Sequence, residues 1–152
     1  MQFSEITEKY WTEKNWEDLE KVKTLKDLSF VALDVLSRMP DPIIEVCGPI
    51  NNGGLGSFEA NINMFNNTVI ELQKKGFNVF DQMPFEEKIQ EVAKNYNSKE
   101  KWVNSIQEDL YEEIFKTGRI KAFYFIKGWE KSHGSVWEHG KAKELNIEVF
   151  YL

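Results

Sequence analysis

The chain has 152 residues, 41% of them hydrophobic and 29% charged, which suits one folded domain with a real core and excludes a disordered polymer. Its net charge of -6 excludes a sequence-independent grip on a nucleic acid polymer, which runs on clustered Lys and Arg. The single cysteine, Cys47, allows no internal disulfide, no apolar run approaches the roughly 20 residues of a membrane span, and Met1-Gln2-Phe3-Ser4-Glu5 lacks the features of a signal peptide, so a cytoplasmic chain without a membrane partner is expected.

Residues 1–42 read as a helical N-terminal extension. Thr7 to Lys23 is dense in charge, with Trp16, Leu19 and Val22 spaced for one helical face. Thr24 is placed to cap a second helix, Leu25 to Arg38, whose apolar stripe is Leu28, Val31, Ala32, Val35 and Leu36. Met39-Pro40-Asp41-Pro42 stops it, because a residue before proline is pushed out of the helical region. Such an arm serves as a dimer element or a lid, or simply as a cover for the sheet.

Residues 43–152 read as an α/β domain. Ile43-Ile44-Glu45-Val46-Cys47 is short, β-branched and mostly apolar, as a central strand requires. It runs into Gly48-Pro49-Ile50-Asn51-Asn52-Gly53-Gly54-Leu55-Gly56, whose glycines let backbone approach a ligand closely. Ser57 then caps a helix to about Lys75, with Phe58, Ile62, Phe65, Val69 and Leu72 on its apolar face. A helix start of this kind favours anions, although the loop matches neither the dinucleotide fingerprint nor the P-loop and also fits a plain flexible turn.

Phe77-Asn78-Val79-Phe80 is the second strand, with Asp81 at its carboxyl end. Helices follow over Phe85 to Lys94 and Lys99 to Thr117, the latter burying Trp102, Ile106, Leu110 and Ile114. Ala122 to Ile126 is the third strand, Lys127 to Ser135 a Gly-rich loop, Val136 to Leu145 a helix whose first turn presents Glu138, and Ile147 to Leu152 the fourth strand. Strands alternating with helices imply a parallel sheet of about four strands, covered on both faces, with the loops after Cys47, Phe80 and Ile126 on one edge.

Glu138 beside that edge suits a carboxylate acting on the sugar of a nucleoside, with Asp81, Glu112 or Glu113 as the partner acid. It equally suits a first-turn residue favoured by the helix dipole, at about 0.3–1 kcal/mol. His133 and His139 are the only histidines and Cys47 the only cysteine, so no metal site is expected. Cys47 paired with a histidine is conceivable as a nucleophile, but buried filler is the simpler reading. Trp129 and Trp137 suit stacking on a base and suit packing equally well.

Val46-Cys47-Gly48-Pro49-Ile50 followed by a helix resembles the "A-G-P" start of the nucleoside 2-deoxyribosyltransferase-like superfamily. Gly128-Trp129-Glu130-Lys131-Ser132-His133-Gly134-Ser135 with Glu138 resembles the "G-W-x-x-S-x-G-A-x-x-E" motif of its DUF4406-type branch. The resemblance covers about residues 43–152. It implies a flavodoxin-like (Rossmann-like) three-layer sandwich, a nucleoside or nucleotide as ligand, no cofactor, and a homo-oligomer. It further implies hydrolysis or transfer at an N-glycosidic bond, with Glu138 attacking the sugar C1′ and Glu113 near the substrate. The stretch Asn52 to Ser57, with Ser132 and Ser135, would hold a 5′-phosphate. Active transferases carry an aspartate six positions before the nucleophile, where this chain has Ser132. Their first-strand tyrosine falls here at Glu45 or Val46, and an aspartate before their third strand is replaced by Lys121. Those departures make a non-catalytic nucleotide-binding protein the alternative.

Overall fold

The computed structural model describes residues 2–51 and 53–152; Met1 and Asn52 lie outside them. In chain order the elements are α1 (Glu5–Glu8), α2 (Glu13–Lys21), α3 (Leu25–Ser37), β1 (Ile43–Cys47), α4 (Phe58–Lys74), β2 (Asn78–Val79), α5 (Glu86–Ala93), α6 (Lys99–Ser105), α7 (Glu112–Phe115), β3 (Ile120–Phe125), α8 (His133–Leu145) and β4 (Glu148–Tyr151). The chain divides into two compact units. One is the stretch ending at Met39 together with Gln82–Arg119, and the other is Pro40–Asp81 with Ile120–Leu152. The N-terminal helices thus share a unit with the segment between the second and third strands.

In the helical unit, the charged N-terminal run is two helices rather than one, because Thr12 caps α2 with a reciprocal bond to Asn15. Thr24 caps α3 in the same manner through Asp27. Asn15 is buried and ties α2 to α3: its amide donates to Asp34 at 2.7 Å, and its oxygen accepts from Arg38. Those two partners, Asn15 first, hold the Asp34 carboxyl below its ordinary range. Trp11 stacks on Trp16 at 4.1 Å between ring centroids and meets Phe85 at 5.1 Å. The helix expected over Lys99 to Thr117 is interrupted by a π-helical stretch, Ile106–Tyr111. The wider turn shifts the register, so that Leu110, Ile114 and Phe115 are buried while Trp102 and Ile106 are only half-buried.

The α/β unit holds a four-stranded, all-parallel sheet in the order β2-β1-β3-β4, the flavodoxin-like order. Right-handed crossovers place α4 on one face and α8 on the other, giving three layers. Alternation along β1 sends Glu45 and Cys47 toward α8, and the register places Phe123 and Phe125 of β3 beside them. Tyr124 points the opposite way, to Phe77 and Phe150. On α4 the stripe Ile62, Phe65, Val69 and Leu72 is buried as its spacing predicts. Phe58 is exposed instead, because it occupies the first helical position, a turn before α4 reaches its buried stripe. Among the described residues no helix is long and apolar enough to cross a membrane.

In the helical unit, buried Glu86 contributes to stability in a pH-dependent way. Glu86, on α5, is 6% exposed, and burial pushes its carboxyl from 4.5 up to about 7 against the opposing hydrogen bond from Gln90. The folded chain then keeps a proton that the unfolded chain releases, so this contribution is fully present below pH 4.5 and is lost as pH rises to about 7. At about 1.4 kcal/mol per pKa unit the loss is roughly 3 kcal/mol. Urea denaturation of Glu86→Gln between pH 4.5 and 7 is expected to show a flatter fall in stability than the parent chain.

Candidate functional site

The carboxyl edge of the sheet is built from two loops, one after β1 and one after β3. Gly48 leaves β1 so close to the neighbouring loop that a Cβ there would lie 2.8 Å from Ile126 Cδ1. The loop beyond it is held by one side chain, Asn61 of α4. Its oxygen accepts from the Leu55 N–H at 2.8 Å, and its amide donates to the Ile50 and Gly53 carbonyls at 3.0 and 3.2 Å. At Gly54, φ is +60° and a Cβ would stand 2.4 Å from Asn61 Oδ1, so no other residue fits that turn. At Gly53 a Cβ would come within 2.9 Å of the Lys131 carbonyl, so the two loops adjoin. Gly56 continues the turn, and Ser57 caps α4 by accepting from Ala60 N at 3.1 Å.

Between the loops lies a cavity of about 520 Å³. Leu55, Met64, Ile126 and Leu152 supply apolar walls, Pro49, Gly54 and Gly128 supply backbone, and Lys127 and Lys131 supply positive charge. From β1 the chain crosses to β2 on one side, and from β3 it crosses to β4 on the other. The cavity therefore sits where the strand order reverses, the position at which open α/β sheets take ligands. Removing the side chain that shapes this edge tests the construction. Asn61→Ala is expected to cost about 0.5–1.5 kcal/mol by removing the part-buried hydrogen bonds that hold this loop. Hydrogen exchange should quicken across residues 50–56 while β1 stays protected.

The helix after β3 differs from the sequence reading. It begins at His133, three residues before the expected Val136, with Ser132 as its cap accepting from Ser135 N at 3.4 Å. The hydroxyl of Ser132 is thereby engaged in closing α8, and Gly134 falls in the first turn. Glu138 lies in the second turn, on the face turned to the sheet, rather than in the first turn where the dipole acts. It is 8% exposed, and its Oε2 accepts from the Cys47 thiol at 3.2 Å. Burial pushes the Glu138 carboxyl up to about 8, opposed by the Cys47 hydrogen bond, which favours its protonated form.

Glu45 completes a cluster on that face. It is fully buried in β1, neither carboxyl oxygen has a hydrogen-bond partner among the described residues, and its donor atom lies with those of Cys47 and Glu138 within a mutual 4.8 Å. Burial first, then the neighbouring Glu138, pushes Glu45 well above the carboxylate range. Cys47 is pushed up by burial, then by Glu138 and Glu45, so it is held as a thiol. Its hydrogen-bond partner is a carboxyl, not a histidine. Ser135, one turn before Glu138 on the same face of α8, is also buried with its Oγ unpartnered.

Of the other expected site residues, Asp81 is buried at the carboxyl end of β2, and Glu113 is an exposed residue of α7 in the helical unit. Trp129 stacks on His139 at 4.5 Å and on Tyr151 at 6.0 Å, and His139 hydrogen-bonds the Tyr151 hydroxyl at 2.7 Å, so that ring is used in packing. Trp137 carries Lys141 over its ring, and His133 is exposed. Asn61, Lys127 and Lys131 were not singled out by the sequence, and Glu45 entered only as a position where the family's first-strand tyrosine falls. The polar residue in a run otherwise suited to a buried strand was the available signal for Glu45, and Asn61, amid the apolar stripe of α4, was the signal for the loop anchor. No protein-family model, curated protein or solved structure matches the chain.

Proposed function

We propose that the α/β unit binds a nucleoside or nucleotide in the crevice between the loops after β1 and β3, without turning it over. The observation that carries this reading is the cavity at the reversal of strand order, whose volume is that of a small-molecule site. Its apolar walls suit a base, while Lys127, Lys131 and the backbone of the Gly-rich loop suit a phosphate. The motif from Gly128 to Glu138 supports the same ligand class through its resemblance to the nucleoside 2-deoxyribosyltransferase-like superfamily, and a homo-oligomer belongs to the same proposal. Thermal shift with 2′-deoxynucleosides and their 5′-monophosphates is expected to raise the melting temperature. The monophosphates should act more strongly, and Lys127→Ala/Lys131→Ala should remove that preference. The ligand should leave the incubation with unchanged mass. No shift with any member of the panel would refute the reading.

The second reading is N-glycosidic cleavage or transfer, and the spacing of Glu138 within the motif favours it. There the Glu138 carboxylate attacks C1′, the bond from C1′ to the base nitrogen breaks, and the base leaves with that electron pair and takes a proton from an acid such as Asp81. Water or an acceptor hydroxyl then releases the sugar. A carboxyl held up at about 8 is not a nucleophile until it ionises, so base release by this route rises with pH through about 8 and is abolished in Glu138→Gln. Activity that survives Glu138→Gln, or that falls over the same pH range, contradicts that role.

A further inference from the structure

We propose that Glu45, Cys47 and Glu138 form a site for one divalent transition-metal cation of the zinc type, with Ser135 or a water as the fourth donor. Three observations carry it. The ligand atoms of the three residues lie within a mutual 4.8 Å, with Cys47 Sγ and Glu138 Oε2 3.2 Å apart. A tetrahedral zinc with its sulfur at about 2.3 Å and its oxygens at about 2.0–2.2 Å sets that edge at about 3.6 Å, so shifts of about an ångström close the site. Glu45 is fully buried with both oxygens unpartnered, an arrangement that hydrogen bonding within the unit does not satisfy and that a cation does. The Ser135 hydroxyl is a second buried, unpartnered donor, one helical turn from Glu138 on the same face.

The donor chemistry sets the class of ion. One thiolate with two carboxylates is too soft for magnesium or calcium and matches a borderline cation such as zinc or cobalt. On binding, the thiol and the two carboxyls give up their protons to solvent, and the dication leaves a net charge of -1 on the set. The three donors come from two elements that the fold already joins, the last residues of β1 and the second turn of α8, so the cation would fasten α8 to the sheet. The site stands apart from the nucleotide reading. Its residues do not line the crevice, and its test contains no nucleotide.

Because Glu45 and Cys47 have no exposure, the cation enters as the chain folds. The full chain is therefore unfolded in urea with chelator, refolded with excess zinc or with excess magnesium, desalted, and its metal counted. One zinc per chain and no magnesium is the expected result, with a higher melting temperature for the zinc form. Refolding with cobalt is expected to give a thiolate-to-cobalt charge-transfer absorption that Cys47→Ser lacks. Glu45→Gln is expected to lower zinc affinity by more than the roughly 10–100-fold that loss of an outer-shell partner costs. Absence of bound zinc in the refolded parent chain overturns the proposal. So does a cobalt form of the parent without the thiolate band, a reading that needs no variant to fold. Zinc retained unchanged in both Glu45→Gln and Cys47→Ser, each folded by circular dichroism, also overturns it.

Discussion

The contact between the Cys47 thiol and the Glu138 carboxyl sets the terms for the rest of the α/β unit. It joins the end of the central strand to the second turn of the helix that covers it, and it does so in a place where Glu45 is also buried. Two carboxyls and a thiol removed from water within a few ångströms cannot all carry charge, since the cost of burying unpaired ions is several kcal/mol each. Either protons stay on the groups or a cation replaces them. In both cases the contact ties α8 to the end of β1, and Ser132 starts that helix where the loop after β3 ends.

From that anchor the carboxyl edge of the sheet follows. The β3 loop ends where Ser132 starts α8, and its Lys131 carbonyl leaves room only for a glycine opposite it at position 53. The β1 loop is fixed from its other side by Asn61. The crevice is the space left between two loops so held, at the point where the sheet reverses its strand order. Placement of the crevice is thus a property of topology, while its depth and charge belong to Asn61, Lys127 and Lys131. Glu45, Cys47 and Glu138 are not among the residues that line the crevice. Binding there needs no ionised Glu138, whereas glycosidic chemistry would require that carboxyl to lose its proton and reach the ligand.

Much of this frame was legible in the sequence. β1 occupies the residues read as the first strand, and the caps at Thr24 and Ser57 mark the helices that follow them, because hydroxyl caps and β-branched runs are local signals. The parallel sheet followed from the alternation of strands and helices. The start of α8 was misread because Ser132, which caps it, lies inside a glycine-bearing stretch that reads as loop, and the next strongly apolar residue is Val136. The pairing of the N-terminal helices with Gln82–Arg119 was not legible, since it joins segments more than forty residues apart with no local mark. The site was legible in part: the glycines and Glu138 stood out by spacing, but the partnership of Glu138 with Cys47 spans 91 positions and depends on the sheet register. Glu45 was passed over because its neighbours are those of a buried strand, and only the fold shows that its carboxyl is left without partners.

The central claim is that a small anionic nucleoside derivative occupies the crevice between the β1 and β3 loops. Backbone amide chemical shifts of the labelled chain, followed during titration with a deoxynucleoside 5′-monophosphate, test it most directly. The account predicts saturable shifts concentrated in residues 49–57 and 126–131, with the strand interiors and the helical unit unmoved. Saturable shifts that fall outside those two loops, or none at concentrations that saturate ordinary nucleotide sites, would contradict it.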